Sequence, residues 1–428
     1  MPKVRAKKDS KHGIMATLQK RSKIKIIFSI FLLMHLSDSY AQPIHRPFPQ
    51  HAGYFTGVIT PNHISSREMD DSVRSFYLQW KNRYIRKSRC SDSYYVWSEN
   101  SGKNHECVSE GQGYGMIIVA LMAGADSLSQ SIFDGLLKYY LEHPSKRSKA
   151  LMSWAQRSVC GHDEESSASD GDIDIAYSLL LADAQWSGHG NINYALKAKS
   201  IIGAVLEQEI NGKTYSVLES NSIESDSRDY FDMRSSDFIP SEFRSFYKAT
   251  NKKDWLKTID SCYKIFNYVQ QKYSPDAGLV PDFIQAINKN PGPAKKHYLE
   301  SKYDGIYNYN ASRVPWRIAT DYIVTGDRRS KLFLEPINQW IRETTADNPD
   351  NISAGYTLGG EDLKSRNFEA LSFISSFAIS AMINAKNQEW LNKLWDYTIH
   401  FKLKDFDYFD NSIKMLNLII LSHNYWAP

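Results

Sequence analysis

The stretch that decides the fold is Met116-Ile117-Ile118-Val119-Ala120-Leu121-Met122, in which every side chain is apolar. A helix formed by such a run has no polar face, so protein must surround it on all sides. Another segment has a single apolar stripe: Ile173, Tyr177, Leu180, Leu181 and Ala184 follow the spacing of an amphipathic helix. Alternation of these two kinds of helix predicts an inner ring of helices enclosed by an outer ring.

Helical periodicity recurs along the rest of the chain, whereas strand-like alternation is sparse. The predicted helices span residues 68–87, 113–124, 128–142, 172–187, 193–209, 236–249, 254–272, 312–325, 329–346, 366–383, 387–397 and 406–424. About twelve helices would make six inner–outer pairs. No Pro/Gly-rich linker divides residues 50–428, so the sequence predicts a single all-α domain over residues 42–428. The longest irregular tract is 274–310, and long loops of this kind are often functional.

The charge of the chain is concentrated at its N-terminus. The 428 residues are 42% hydrophobic and 23% charged, as in globular proteins, with a net charge of +4. Residues 1–41 hold nine Lys or Arg and two Asp, a net charge of +7, followed within this segment by the apolar run 26–36 and then Ser39-Tyr40-Ala41. This order is typical of a secretory signal peptide, and the apolar run is too short to span a membrane. We expect residues 1–41 to be removed, with Met15 as an alternative start, and the protein to be secreted or periplasmic.

Removal of this segment leaves 43 basic and 46 acidic residues, a net charge of −3. Nucleic-acid binding therefore has no electrostatic support, and we expect no membrane attachment after cleavage. The four cysteines do not follow zinc-ligand spacing. In an exported protein Cys90 and Cys107, the nearest pair, are the first choice for a disulfide, and buried free thiols are the alternative. A monomer is expected.

The first chemically distinctive segment is Ser109-Glu110-Gly111-Gln112-Gly113-Tyr114-Gly115-Met116. Glu110 precedes a glycine-rich turn into the apolar run, so partial desolvation should raise the pKa of its carboxyl group and make it a proton donor near neutrality. A phosphate-binding loop is the competing interpretation. It fails because the glycine spacing differs and no Gly-Lys-Ser/Thr follows.

Two further segments combine acidic and aromatic residues. In Ala168-Ser169-Asp170-Gly171-Asp172-Ile173-Asp174-Ile175-Ala176 three acids alternate at a helix start. Calcium is excluded because Ile175 and Leu181 occupy the positions where an EF-hand loop needs glycine and an acid. The tract 298–317 contains Glu300 and alternates tyrosine and tryptophan with polar residues. Such a pattern suits sugar rings, which stack on aromatic side chains and present hydroxyl groups at their edges.

Together these segments resemble glycoside hydrolase family 8. The tract from Ala168 through Asp172, continued by Ile175-Ala176, Ser178-Leu179-Leu180, Ala182 and Trp186, is similar to the family signature, and the segment around Glu110 is similar to the one that carries the proton donor. Asp232-Met233-Arg234-Ser235-Ser236-Asp237 and Ala311-Ser312-Arg313-Val314-Pro315-Trp316-Arg317 extend the resemblance over most of residues 55–425. The fold that it implies is an (α/α)6 barrel.

The resemblance implies inverting hydrolysis of a β-1,4-linked or mixed-linkage polysaccharide, without a cofactor or metal. It makes Glu110 the general acid and Asp170 a ligand of the sugar at the cleavage point. The chain departs from the commonest family pattern at Asn310, where many members have an aspartate base. In this respect it resembles a subfamily of chitosanases and mixed-linkage glucanases whose base is a loop glutamate, which implies Glu300 here, with Asp304 as the fallback.

The predicted substrate-lining residues, beside the three carboxylates, are Tyr114, Trp154, Arg234, Tyr309, Asn310, Arg313 and Trp316. Chitosan would favour acidic residues along the groove, for which the candidates are Asp163, Glu164, Glu165, Glu224 and Asp226, and neutral glucan would favour aromatic residues. A catalytically silent polysaccharide-binding protein on the same barrel is the alternative function.

Overall fold

The computed structural model describes residues 44–98, 105–187, 192–363 and 370–428, and these residues contain twelve α-helices. The predicted signal segment lies outside these residues. The helices are α1 (Ser66–Tyr84), α2 (Ser109–Leu121), α3 (Ser129–Glu142), α4 (Ser169–Trp186), α5 (Tyr194–Gln208), α6 (Pro240–Thr250), α7 (Asp254–Tyr273), α8 (Val314–Thr325), α9 (Arg328–Thr345), α10 (Leu371–Ala381), α11 (Gln388–His400) and α12 (Tyr408–Leu421). Pro43–Pro428 form one compact unit.

The even-numbered helices form a closed inner ring. Each packs against the next, from α2 to α4, α6, α8, α10 and α12, and α12 packs against α2 again. The odd-numbered helices pack outside, α1 on α12 and each later one on the inner helix that precedes it. Every residue of α10 is buried, and so is every residue of α2 except Glu110. The predicted (α/α)6 barrel is therefore confirmed.

One detail of the sequence interpretation is wrong. The stripe from Ile173 to Ala184 was expected to mark a one-sided helix, but α4 belongs to the inner ring. Several of its polar side chains are buried against partners within the protein. The Asp174 carboxylate pairs with Arg317, and the Gln185 amide donates to the carbonyl oxygens of Arg46 and Ala120.

Two glycines allow α2 and α4 to approach closely at their N-terminal ends. A Cβ atom added to Gly113 would lie 2.7 Å from the Cβ of Asp174, and one added to Gly171 would lie 2.7 Å from the carbonyl carbon of Ser109. Any side chain at these positions would force the helices apart. The close approach places the first turns of both helices, with Glu110 and Asp170, at the same end of the barrel.

Short antiparallel strands lie in the connections of the barrel. They are β1 (Ile85–Lys87), β2 (Tyr94–Val96), β3 (Cys107–Val108), β4 (Ala155–Ser158), β5 (Gly161–Asp163), β6 (Met233–Arg234), β7 (Phe283–Gln285) and β8 (Gly292–Pro293). They pair as β1-β2, β3-β4-β5 and β6-β7-β8. Because β3 leads directly into α2, and β6 carries Arg234, these sheets fix the chain on either side of the barrel mouth.

The predicted disulfide is wrong. Cys90 is bonded to Cys160, with their Cα atoms 5.5 Å apart, whereas Cys107 and Cys262 are buried free thiols. Cys107 lies in β3 with its thiol 3.6 Å from the Gln112 side-chain oxygen. Cys160 lies in the exposed turn between β4 and β5. The two bonded cysteines lie in the β1–β2 and β4–β5 connections, which meet in space although they are distant along the chain.

Candidate active site

A single buried arginine joins the acidic segments at the mouth of the barrel. Arg313 lies in a 3-10 turn (Ala311–Arg313) that leads into α8, and its side chain is 2% exposed. Its Nη1 donates hydrogen bonds to Glu110 Oε2 at 2.6 Å and to Asp170 Oδ2 at 3.0 Å. Its Nη2 donates to Asn310 Oδ1 at 2.8 Å. Segments that lie more than 140 residues from Arg313 in sequence therefore converge on its guanidinium group.

Glu110 is placed to hold a proton. Burial raises the pKa of its carboxyl group above the usual value, against the opposing effect of Arg313. Its other oxygen, Oε1, accepts a hydrogen bond of 2.8 Å from the Tyr408 hydroxyl. The side chain keeps 16% of its surface exposed, so a ligand in the barrel mouth can reach it. These properties suit a general acid.

Asp170 has the opposite electrostatic state although it is buried. Burial would raise the pKa of its carboxyl group, but Arg234 and Arg313 outweigh that effect and lower it. Its Oδ1 also accepts the backbone N–H of Gly171 at 2.9 Å, in the first turn of α4. Active sites often contain two neighbouring carboxyl groups of which one has a raised pKa and donates a proton, while the other has a lowered pKa and stays ionised.

Glu300 is held on the far side of Arg313 by Asn310. The Asn310 amide donates to Glu300 Oε2 at 2.8 Å, and Arg234 Nη2 donates to Oε1 at 3.2 Å. The Glu300 side chain is 41% exposed, so water can reach it. Asn310 thus connects the loop carboxylate to the arginine that binds the other two acids.

Asp304 has a different environment from Glu300. Its two oxygens accept the backbone N–H groups of Leu299, Glu300 and Ser301, at 2.7, 3.0 and 2.7 Å. The residue is 1% exposed. A carboxylate surrounded by its own loop shapes that loop and has little access to an attacking water. The geometry therefore favours Glu300 over Asp304 as the base.

The predicted substrate-lining residues differ in how far they reach the surface. Tyr309 is 38% exposed and Trp154 is partly buried beside the start of α2, where its carbonyl accepts the N–H of Ser109. Tyr114 and Trp316 are almost fully buried, with ring centroids 6.0 Å apart. The Tyr114 hydroxyl accepts a hydrogen bond of 3.2 Å from Arg313 Nη1, so Tyr114 contacts the site from the interior of the barrel.

Two residues of the site had no signal in the sequence. Tyr408 contacts Glu110 from 298 positions away, and only the closure of the ring by α12 brings them together. Asp282 Oδ1 accepts the backbone N–H groups of Asn308 and Ala311 at 3.0 and 2.7 Å. It therefore fixes the turn that carries Asn310.

A second pair of carboxyl groups lies under Asp170. Asp172 and Glu209 are fully buried neighbours, and one carboxyl group could donate a hydrogen bond to the other only in its protonated form. Burial raises the pKa of Glu209 to about 7 and that of Asp172 well above its usual range. Asp172 also accepts the N–H of Met152 at 2.8 Å, and Glu209 accepts the Ser167 hydroxyl. The pair ties the start of α4 to two neighbouring loops.

Within the described ranges no group of three His, Cys, Asp or Glu side chains is placed to hold a metal ion. No helix among the same residues has the length and apolarity to cross a bilayer.

Comparison with known proteins finds a family model and relatives that match most of the chain. The family described as "Glycosyl hydrolases family 8" matches residues 69–423. A β-glucanase of Niallia circulans is 40% identical over 398 residues, which cover 93% of this chain and 95% of that protein. An endoglucanase of Bacillus sp. (strain KSM-330) is 39% identical over 396 residues, covering 90% and 82% respectively.

Solved structures give the same result. The apo β-1,3-1,4-glucanase from Paenibacillus sp. X4 has a TM-score of 0.85 and 39% identity, covering 90% of this chain and 100% of that one. Rex8A from Paenibacillus barcinonensis, solved with xylose, has a TM-score of 0.69 at 16% identity, covering 85% and 95%. At that identity the second likeness concerns the fold alone.

Proposed function

Because the chain belongs to glycosyl hydrolases family 8 and is a glycoside hydrolase, we propose that it is an inverting endo-β-glucanase with mixed-linkage β-1,3-1,4-glucan as its preferred substrate. The observation that carries the mechanism is the arrangement of three carboxyl groups around Arg313 and Asn310. Glu110 has a raised pKa, Asp170 a lowered one, and Glu300 is open to water. The proposed substrate follows the names of the relatives that are 39–40% identical.

In the proposed reaction Glu110 donates its proton to the glycosidic oxygen as the bond breaks. Glu300 accepts a proton from a water molecule, whose oxygen attacks the anomeric carbon from the opposite face of the sugar ring. Asp170 stays ionised and binds the sugar at the cleavage point. Arg313 and Asn310 keep the acid and the base in register, which accounts for an amide at position 310 in a working enzyme.

Neutral glucan fits the surface better than chitosan does. Four of the acidic candidates for a polycation groove already have basic partners: Glu164 Oε1 lies 2.8 Å from Arg157, and Glu224 Oε1 lies 2.8 Å from Arg147. Glu165 pairs with Lys146, and Asp163 lies beside His143. Carboxylates paired in this way add little attraction for an aminated polymer.

We infer that residues 1–41 direct export and are removed, that residues 42–428 act as one catalytic domain, and that the protein works as a monomer in the periplasm or outside the cell. The Cys90–Cys160 disulfide is in keeping with an oxidising compartment.

The test is release of reducing ends from four polymers in parallel: barley β-glucan, carboxymethylcellulose, chitosan and xylan. We expect the highest rate on barley β-glucan, and nearly no rate with the Glu110→Gln variant. Preference for chitosan or xylan would refute the substrate. Binding of polymer without release of reducing ends would instead favour the silent binding protein.

A further inference from the structure

The Glu300 carboxylate has two partners that come from different parts of the chain. Arg234 belongs to β6 and donates to Oε1 at 3.2 Å. Asn310 directly precedes the 3-10 turn before α8 and donates to Oε2 at 2.8 Å. Each partner binds one oxygen atom, so the direction in which this carboxylate points depends on how far apart the chain holds Arg234 and Asn310.

Asp282 connects to the Arg234 segment through its backbone. Its carbonyl oxygen accepts the N–H of Ser235 at 2.9 Å, and the following residue, Phe283, pairs with Arg234 between β6 and β7. The Arg234 guanidinium carbon also lies 5.4 Å from the centre of the Phe283 ring, within the range of a cation–π contact. The main chain at Asp282 thus fixes the position of Arg234.

The side chain of Asp282 connects to the Asn310 segment. Its Oδ1 accepts the backbone N–H groups of Asn308 and Ala311, which lie on either side of Asn310, at 3.0 and 2.7 Å. Asp282 is buried, so water has little access to replace it as the acceptor, and a buried N–H group without a partner is costly. One residue therefore holds both segments that bind Glu300.

We propose that Asp282 is a positioning residue for the base: it sets the spacing of Arg234 and Asn310, and thereby aims the Glu300 carboxylate at the attacking water. The inference rests on the proposed function, in which Glu300 is the base. A base must lie within hydrogen-bond reach of the proton that it accepts, and a misplacement of about 1 Å can cost about 100-fold in rate. Glu110 begins on α2 and is also held from α12, so we expect the effect of Asp282 to fall on the base.

Three substitutions separate the hydrogen bonds of Asp282 from its charge. Asp282→Asn keeps a carbonyl oxygen that can accept both N–H groups, and it imitates the protonated acid, whose pKa burial raises to about 7. Asp282→Ala removes the acceptor, and Asp282→Ser leaves one on a shorter side chain. Asn424→Ala is the matched control. Asn424 is also buried, and its Oδ1 accepts two backbone N–H groups, at 2.8 and 3.4 Å, but it follows the end of α12 that is remote from the carboxylates.

The experiment measures kcat and KM for a β-glucan oligosaccharide and for the corresponding β-glycosyl fluoride. Fluoride departs without a proton from the general acid, so the second substrate reports on the base. We expect Asp282→Ala and Asp282→Ser to lower kcat about 10- to 100-fold on both substrates, with KM nearly unchanged. Asp282→Asn should stay within about 3-fold of the wild type, and Asn424→Ala should keep its kcat. In a Glu300→Gln background, Asp282→Ala should cause no further loss, because its effect passes through the base.

Equal losses from Asp282→Ala in the wild-type and Glu300→Gln backgrounds would overturn the positioning role. A wild-type kcat in Asp282→Ala, or a defect that disappears with the fluoride substrate, would overturn it as well. Circular dichroism checks the fold, and failure of both Asp282→Ala and Asp282→Ser to fold would assign the residue to the fold instead. A Glu300→Gln variant with the wild-type rate would overturn the proposed base itself, and that result is obtained without any Asp282 variant.

Discussion

Replacement of Glu209 by glutamine should remove a pH-dependent loss of stability. Burial raises the pKa of the Glu209 carboxyl group from 4.5 to about 7. Below pH 4.5 both the folded and the unfolded protein hold this proton, so ionisation of Glu209 does not lower the free energy of unfolding there. As the pH rises from 4.5 to 7 the unfolded chain loses the proton first, and the free energy of unfolding falls.

The size of the effect follows from the pKa shift. A shift of about 2.5 units corresponds to about 3 kcal/mol, reached in full above pH 7. Glutamine imitates the protonated acid: its carbonyl can still accept the Ser167 hydroxyl, and its amide can donate to Asp172. The variant should therefore lack this part of the pH dependence.

The assay is urea unfolding followed by tryptophan fluorescence at pH 4.5 and pH 8. Between pH 4.5 and pH 8 the difference in free energy of unfolding between Glu209→Gln and the wild type should change by up to about 3 kcal/mol in favour of the variant. Glu343→Gln, at an exposed carboxylate on α9, is the control and should follow the wild type. Parallel pH profiles for wild type and Glu209→Gln would refute the shared-proton interpretation of the Asp172–Glu209 pair.

Three further outcomes are expected. Tyr408→Phe removes the hydroxyl that stabilises ionised Glu110, so the pKa of Glu110 should rise and the alkaline limb of the pH–rate profile should move up by about one unit; a downward shift would contradict this. Arg313→Lys cannot reach Glu110, Asp170 and Asn310 together, and kcat/KM should fall about 100-fold while circular dichroism stays unchanged; near-normal activity would show that the convergence on Arg313 is unnecessary. Cys160→Ser removes a disulfide that joins positions 70 residues apart, and urea unfolding should show a free energy of unfolding about 4 kcal/mol lower than that of the oxidised wild type. The reduced wild type also lacks this bond, so its free energy of unfolding should match that of the variant.

Local sequence patterns were sufficient to predict the helices, but not the contacts between residues that are distant along the chain. The apolar run in α2 and the acids at the start of α4 could be read directly, because helical period and composition are properties of a few adjacent residues. The contact of Tyr408 with Glu110 depends on closure of the helix ring, and the pairing of Cys90 with Cys160 depends on which connections of the barrel meet in space. No local pattern encodes those distances, so the sequence predicted the wrong cysteine partner and missed the tyrosine.

Buried polar residues were the other source of error. The apolar stripe of α4 predicted a helix with one buried side, since a sequence does not show which charged side chains have a buried partner. Arg317 satisfies Asp174 from α8, and a shared proton satisfies Asp172. The inner ring can therefore carry charged groups that composition alone would assign to the surface.

The most direct test of the central claim is the rate of reducing-end release from barley β-glucan by the Glu300→Gln variant, with Glu343→Gln as control. If Glu300 is the base that activates water, the rate should fall about 1000-fold while the fold and the binding of polymer persist. A Glu300→Gln variant that keeps most of the wild-type rate would contradict the account and require another base.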